Sequence, residues 1–460
     1  MGPDIPGTGA QMNIIIIGAG NVGFTSAETL STVHNVMIIE KDALRADTVK
    51  NMLNVSVLRE DGTNPKILEL AIEKHNADII VSTLPSDGLN LFVCIICKKY
   101  KPALRTVATI KNPDYMIKTT SEGDVGVDMI ISPETISSNK IFKLATLENV
   151  VDYETIKSLG LAIATFRVSG SQSIVGNIVL NLDIPAECNI VCIYRGDDVI
   201  IDVETAEIRP EDRISVIGSE RGMEAFNAMI GVEEEALEFV ILGAGVVGMN
   251  VAKALSKMDK KVYVKIIEED TDLCRDAART LTDAIVVNSD SLDPHILMTE
   301  NVGRADVLIS VTDADEKNLL ACMASLKFGT RKVISRYLTR EYKDIFRFTG
   351  IETIIGYHLI IANEITKGLI SDEDSILKMK HEGEYFFSVK IDEKSPLFNH
   401  FFGDLDIPDG VRFTAVLRNG RILYPKYDTN FKENDKVLIY AYMSKMSAVK
   451  KLLGKNMPGL

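Results

Sequence analysis

Two stretches of this 460-residue chain are near copies of one another, and each places a Gly-x-Gly-x-x-Gly turn directly after an apolar run. The first reads Asn13-Ile14-Ile15-Ile16-Ile17-Gly18-Ala19-Gly20-Asn21-Val22-Gly23 and the second Phe239-Val240-Ile241-Leu242-Gly243-Ala244-Gly245-Val246-Val247-Gly248, so Gly243 repeats Gly18 at a distance of 225 residues. An amphipathic helical pattern follows each turn, over Thr25–Leu30 and Asn250–Leu255, and then an apolar strand that ends in acid, Met37–Glu40 and Val264–Glu268. Agreement continues through Asp61-Gly62-Thr63-Asn64-Pro65 against Asp290-Ser291-Leu292-Asp293-Pro294, and Ala77–Ser82 against Ala305–Ser310. Short apolar strands alternating with helical patterns predict a parallel sheet of βαβ units, built twice.

A second repeated module follows each copy. Leu182-Asp183-Ile184-Pro185 returns as Leu405-Asp406-Ile407-Pro408. Beside these lie alternating patterns that predict hairpins, Asn189–Tyr194 before Arg195-Gly196 and Arg412–Leu417 before Arg418-Asn419-Gly420. An acidic turn then precedes a last strand in each, Arg213–Ile217 and Lys436–Ile439. The predicted fold is therefore α/β, with Rossmann-like parallel-sheet domains at 12–136 and 236–371, each followed by a small α+β domain, at 150–231 and 380–457.

The Gly turns carry the chemistry. In Gly-x-Gly-x-x-Gly the first Gly permits the tight turn, the second lets backbone approach a pyrophosphate, and the third lets helix pack on sheet. Exposed N–H groups at the helix start then bind the anion. Glu40 and Glu268, 22 residues after Gly18 and 25 after Gly243, sit where a carboxylate accepts ribose hydroxyls and repels a 2′-phosphate. They favour NAD or an adenine nucleotide over NADP. The copies differ at Gly62, which allows close approach where Ser291 does not, and at Arg336, which corresponds to Thr109. Arg336 is placed to neutralise a phosphate or to stand as a solvated cation at a strand end, and the sequence does not separate the two.

With 65 Asp+Glu against 51 Lys+Arg, the net charge of −14 leaves no basic surplus for nucleic acid or anionic membrane surfaces. The longest apolar stretches, Met12–Ile17 and Leu89–Cys97, fall well short of the ~20 residues of a membrane-spanning helix. Met1–Gln11 lacks the basic and apolar regions of a secretory signal and is read as an extension before Met12. Cys94 and Cys97 form a C-x-x-C, but their apolar, helical surroundings predict buried core thiols. His34, His75, His295, His358, His381 and His400 show no metal-ligand spacing. No catalytic constellation emerges.

The doubled order, both LDIP segments included, resembles the TrkA family, the regulatory subunits of Trk-type potassium uptake systems built from tandem RCK (KTN) units. The likeness runs from Met12 to about Leu453. It implies RCK_N and RCK_C domains in alternation and a cytosolic homo-oligomeric ring, a tetramer, that binds NAD(H) and also ATP or ADP. Its implied partner is a membrane-embedded potassium transporter subunit of the TrkH/TrkG type, which it gates from the cytosolic face of the membrane. The resemblance carries nucleotide contact onto Gly18, Ala19, Gly20, Asn21, Val22, Gly23, Glu40, Asp61, Gly62 and Thr83, and onto Gly243, Ala244, Gly245, Val246, Val247, Gly248, Glu268, Asp290 and Arg336. The first unit departs from the family pattern in Thr83-Leu84-Pro85-Ser86-Asp87 and in Thr109, where Arg is usual, which weighs against an ATP-type ligand there.

Two rival classes are weaker. An NAD-dependent oxidoreductase needs a substrate domain with a positioned acid or base, and each unit is followed only by a small β-rich module without paired His/Asp or Lys. A redox-sensing repressor needs a basic helix-turn-helix, which the charge does not offer. The apolar ends around Ile117 and Ile345 have no further sequence to cover them, which predicts a homo-oligomer.

Overall fold

The computed structural model describes residues 11–31, 34–112, 115, 126–156, 159–196, 198–231, 236–259, 261–369, 375–378 and 384–454. The first sheet contains β1 (Asn13–Ile17), β2 (Asn35–Ile39), β3 (Ser56–Leu58), β4 (Ile79–Ser82), β5 (Arg105–Thr109) and β6 (Met129–Ile131), in the order β3-β2-β1-β4-β5-β6. Every pairing in it is parallel. The unbroken run Ile14–Ile17 is fully buried because helices cover both faces of β1. Ile14 and Ile16 meet Phe24, Ala27 and Leu30 on one side, while Ile15 and Ile17 meet Leu68, Ala71, Ile72 and Val93 on the other.

The second sheet, of β7 (Val150–Ile156), β8 (Leu161–Arg167), β9 (Cys188–Arg195), β10 (Asp198–Ile200) and β11 (Arg213–Gly218), is antiparallel in the order β10-β9-β11-β8-β7. The third repeats the first: β12 (Ala236–Leu242), β13 (Lys261–Glu268), β14 (Ala284–Asn288), β15 (Val307–Ser310), β16 (Lys332–Tyr337) and β17 (Thr353–Gly356) run β14-β13-β12-β15-β16-β17. After β18 (Ser375–Lys378), the fourth sheet runs β21-β20-β22-β19, with β19 at Glu384–Lys390, β20 at Val411–Arg418, β21 at Arg421–Leu423 and β22 at Lys436–Tyr442. That repeats β10-β9-β11-β8, and both expected hairpins are present, as β9–β10 and β20–β21.

The chain forms two compact units, which divide its helices differently from its sheets. Among the described residues, one holds those from 11 to 136 together with 356–369 and 375–378, the other those from 137 to 355 with 384–454. In the first unit, helix Tyr357–Leu369 follows β17 in sequence but puts Ile361 and Ile365 into the core around Ile14 and Phe24. Arg105, first residue of β5, donates to Gly368 O near the end of that helix at 2.9 Å. In the second unit, Lys332, first residue of β16, does the equivalent for helix Pro133–Thr146. Its ammonium lies within hydrogen-bonding distance of Leu144 O at 2.5 Å, Val150 O at 2.7 Å, Leu147 O at 2.9 Å and Glu148 O at 3.2 Å, and its three N–H groups are shared among them. Carbonyls at a helix C-terminus lack intrahelical donors and lie at the negative end of the dipole, so a cation is the natural cap. No described helix is long and apolar enough to cross a membrane.

Candidate nucleotide sites

Both Gly turns leave the carboxyl end of the strand at which the sheet order reverses, the position at which open α/β sheets form their binding crevice. Gly18 N donates to Ile39 O at 2.9 Å and Thr83 N to Ile17 O at 3.0 Å, and Gly243 N and Val311 N bond Ile267 O and Leu242 O at 3.0 Å. The turn is thus pinned to both flanking strands in each copy.

The three glycines of each turn serve three different needs. Gly18 and Gly243 have φ of +95° and +104°, a region L side chains rarely adopt. A Cβ on Gly23 would lie 1.9 Å from Gly18 O, and one on Gly248 2.0 Å from Gly243 O, so helix-to-turn packing excludes any side chain. Gly20 and Gly245 are different. Their φ is −65° and −64°, and an added Cβ would meet nothing within 4 Å. Neither conformation nor packing demands glycine there, and the open volume lies at the helix N-cap. The first intrahelical bonds are Phe24 N to Gly20 O and Met249 N to Gly245 O, so the amides before them start each helix without an i−4 carbonyl. A phosphate fits this cradle.

Glu40 and Glu268 are anchored alike. Glu40 Oε2 accepts from Ala19 N at 2.6 Å and Oε1 from Asp42 N at 2.8 Å. Glu268 accepts from Ala244 N at 2.6 Å and Asp270 N at 2.9 Å. Each carboxylate ties the Gly turn to the end of the second strand and keeps further lone pairs for a ribose hydroxyl. Asn21, Val22, Val246 and Val247 form the first helical turn, with Val247 buried and Val246 exposed. Asp61 accepts from Thr63 N at 2.9 Å and Thr63 Oγ1 at 2.7 Å, bonds that lower its pKa, with Lys41 adding a smaller pull. Asp290 accepts from Leu292 N.

Gly62 answers a demand of the fold as well, since a Cβ there would lie 2.5 Å from Ile17 Cγ2. Thr83 braces the first turn by donating to Ile17 O and Gly18 O. Arg336 is buried, with Nη2 donating to Val311 O at 3.1 Å, Thr312 O at 3.2 Å and Asp313 Oδ1 at 2.9 Å, while its buried Nε has no acceptor. Its head group therefore lies at the turn bordering Gly243, not out in solvent as a free surface cation. Thr109 points its hydroxyl to Ser82 O.

Sequence reasoning passed over two repeated anchors and one cation. Asn90 Oδ1 accepts from Ser82 Oγ and Leu84 N, both at 2.8 Å, and its amide donates to Leu84 O and Thr109 O. Asn318 makes the same set with Ser310, Thr312 and Arg336 O. Asp87 accepts from Lys111 N and Asn112 N, and Asp315 from Leu338 N and Thr339 N. The signal was available as Ser-x4-Asp-x2-Asn, at Ser82/Asp87/Asn90 and again at Ser310/Asp315/Asn318. The cation is Lys317, 2.6 Å from Glu269 Oε2 and 3.9 Å from Asp290 Oδ1; its pKa is raised, first by the Glu269 bond.

All six cysteines are buried and unpaired, and burial pushes the Cys97 thiol up to about 12. The C-x-x-C is core, as its surroundings predicted. Among the described residues no group of three or more His, Cys, Asp or Glu could hold a metal ion. Ile345 is exposed, whereas Ile117 lies outside the described residues.

Comparison with known proteins agrees with this doubled architecture. The model of the TrkA-N domain matches residues 14–133 and again 239–356, and that of the TrkA-C domain matches 386–454. These matches cover more than half of the chain. The chain belongs to the TrkA family. Over 452 residues it is 30% identical to the Trk system potassium uptake protein TrkA homolog 1 of Methanosarcina mazei, covering 96% of this chain and 99% of that one. It is 25% identical to the Trk system potassium uptake protein TrkA of Azorhizobium caulinodans, covering 96% and 98%. Among solved structures, the RCK domain of GsuK matches with a TM-score of 0.60 at 16% identity, covering 98% of this chain and 97% of that one. The GsuK channel bound to NAD matches equally well, covering 98% of this chain and 80% of the channel. At such identities the likeness is one of fold. The TrkA-C model matches only the second β-rich module, yet the first has the same strand order.

Proposed function

We propose that this TrkA-family chain is a nucleotide-sensing regulatory subunit that gates a membrane-embedded potassium transporter of the TrkH/TrkG type. It does so as a homo-oligomeric ring, a tetramer, on the cytosolic face of the membrane. The observation that carries the reading is the open space above Gly20 and Gly245, where glycine answers no demand of the fold and a pyrophosphate fits against helix-start amides. Names among relatives, Trk potassium uptake proteins and a channel bound to NAD, support it from outside.

The first site, Gly18 to Gly23 with Glu40 and Asp61, holds NAD(H). The second, Gly243 to Gly248 with Glu268, Asp290 and Arg336, takes ATP or ADP. A phosphate beside Arg336 gains a charge-assisted bond that Thr109 cannot supply. The chain does no chemistry on these ligands. Each shifts the ring between arrangements by its differential affinity, and a tenfold preference supplies about 1.4 kcal/mol per site, multiplied by the sites in a ring.

Calorimetry of the purified chain against NAD, NADH, ATP, ADP and cyclic dinucleotides tests the reading, together with light scattering. We expect micromolar binding without consumption and a mass several times the 50.7 kDa of one chain. Steady-state oxidation of NADH with a small substrate would favour the oxidoreductase reading instead, and a monomer with and without nucleotide would sink the ring.

A further inference from the structure

The two crevices differ in a contact that crosses one of them and not the other. In the third sheet β12 lies between β13 and β15, so the Gly243 turn leaves the sheet between the ends of those two strands. Lys317 is the third residue of helix Asp315–Phe328, on the β15 side, and Glu269 directly follows β13. Their 2.6 Å ion pair, with Asp290 Oδ1 3.9 Å from the same ammonium, therefore joins the segments that follow the two strands flanking β12, from which the Gly243 turn leaves. Among the described residues the first copy has no such pair. Its third residue in helix Asp87–Tyr100 is Leu89, which is 43% exposed, and the residue after Glu40 is Lys41, whose charge acts on Asp61 on its own side of the crevice.

We propose that Lys317 and Glu269 form a strap that closes the second nucleotide crevice in the ligand-free protein, making it the gated site, while the first crevice stays open. The inference rests on the nucleotide reading above and adds its regulation. A nucleotide entering between β13 and the helix after β15 must part the strap, and the freed Lys317 ammonium then faces the ligand's phosphates. Exchanging Lys41/Leu89 for Glu269/Lys317 decides which site responds first as nucleotide concentration rises.

Two readouts on the full chain test it. In the ligand-free protein, hydrogen exchange of the Gly243–Gly248 amides should quicken about two- to fivefold in both Lys317→Leu and Glu269→Gln, the range an exposed ion pair supplies, with Gly18–Gly23 unchanged. In a Gly20→Val background that silences the first site, stopped-flow association of ATP should quicken by a similar factor in both variants. Unchanged exchange in either variant overturns the strap. So does slower ATP association in both, which would make the pair part of the landing surface. If the Gly20→Val parent binds no nucleotide, the reading of the second site fails while the exchange experiment still decides the strap.

Discussion

The two Rossmann-like copies share a backbone solution and differ in what surrounds it. Both use a positive-φ glycine, an open glycine and a packed glycine, and both tie the turn to a following carboxylate at 2.6 Å. Around this common frame the first copy places Thr83, Thr109, Leu89 and Lys41, while the second places Val311, Arg336, Lys317 and Glu269. The frame is set by needs every dinucleotide turn has. The periphery carries charge, and on the proposed reading it is what separates the ligands of the two copies. One fold used twice is therefore no argument for one ligand bound twice.

The largest effect should separate the glycines within a copy. Gly23→Ala and Gly248→Ala push a Cβ onto a backbone carbonyl and should each cost about 3 kcal/mol or more of stability. Gly20→Ala and Gly245→Ala enter open space and should stay within about 1 kcal/mol, the scale of an N-cap change. Urea unfolding of the four variants checks this, and equal losses at all four would erase the distinction on which the binding argument stands.

Next comes the helix cap. Lys332→Met removes the donor shared by Leu144 O, Leu147 O, Glu148 O and Val150 O and should cost about 2–3 kcal/mol, against about 1 kcal/mol for Arg105→Met, which removes the bond to Gly368 O. Thermal unfolding that ranks them the other way would show that the two caps are not equivalent devices.

Arg336→Ala should weaken ATP binding about tenfold, or 1.4 kcal/mol, and leave NAD(H) at the first site almost unchanged. Equal losses for both ligands would assign the guanidinium to the fold alone.

The smallest effect contrasts the β-rich modules. β8 begins with Leu161 where β19 begins with Glu384, which is 1% exposed and accepts from Tyr194 Oη at 2.7 Å. Burial raises the Glu384 pKa, partly offset by that bond. The folded state therefore keeps a proton that the unfolded chain has already lost, so stability declines as pH rises from about 4.3 toward the raised value. One proton limits the slope to about 1.4 kcal/mol per pH unit. Glu384→Gln should flatten it, and an unchanged slope would mean that this carboxyl does not titrate with folding.

Much of this was legible in the sequence because the chain states it twice. The all-buried run Ile14–Ile17, the acid at Glu40 and Glu268, and the hairpins at Arg195-Gly196 and Asn419-Gly420 follow from local pattern and spacing. The exchange of helices between compact units was not legible, since Tyr357–Leu369 has the same amphipathic pattern whichever sheet it covers. Nor was the packing of Gly62 on Ile17, because close approach to a ligand and close approach to Ile17 demand the same residue. Lys317 hid among exposed helix charges, and only the sheet order puts it opposite Glu269.

The most direct test of two unlike nucleotide sites is a calorimetric titration of NADH and of ATP into the parent chain, Gly20→Val and Gly245→Val. A valine side chain fills the space of the pyrophosphate in one copy without touching the other. We predict that Gly20→Val abolishes the NADH isotherm and spares ATP, and that Gly245→Val does the reverse. Loss of both ligands in either variant, or of neither in both, would contradict the account.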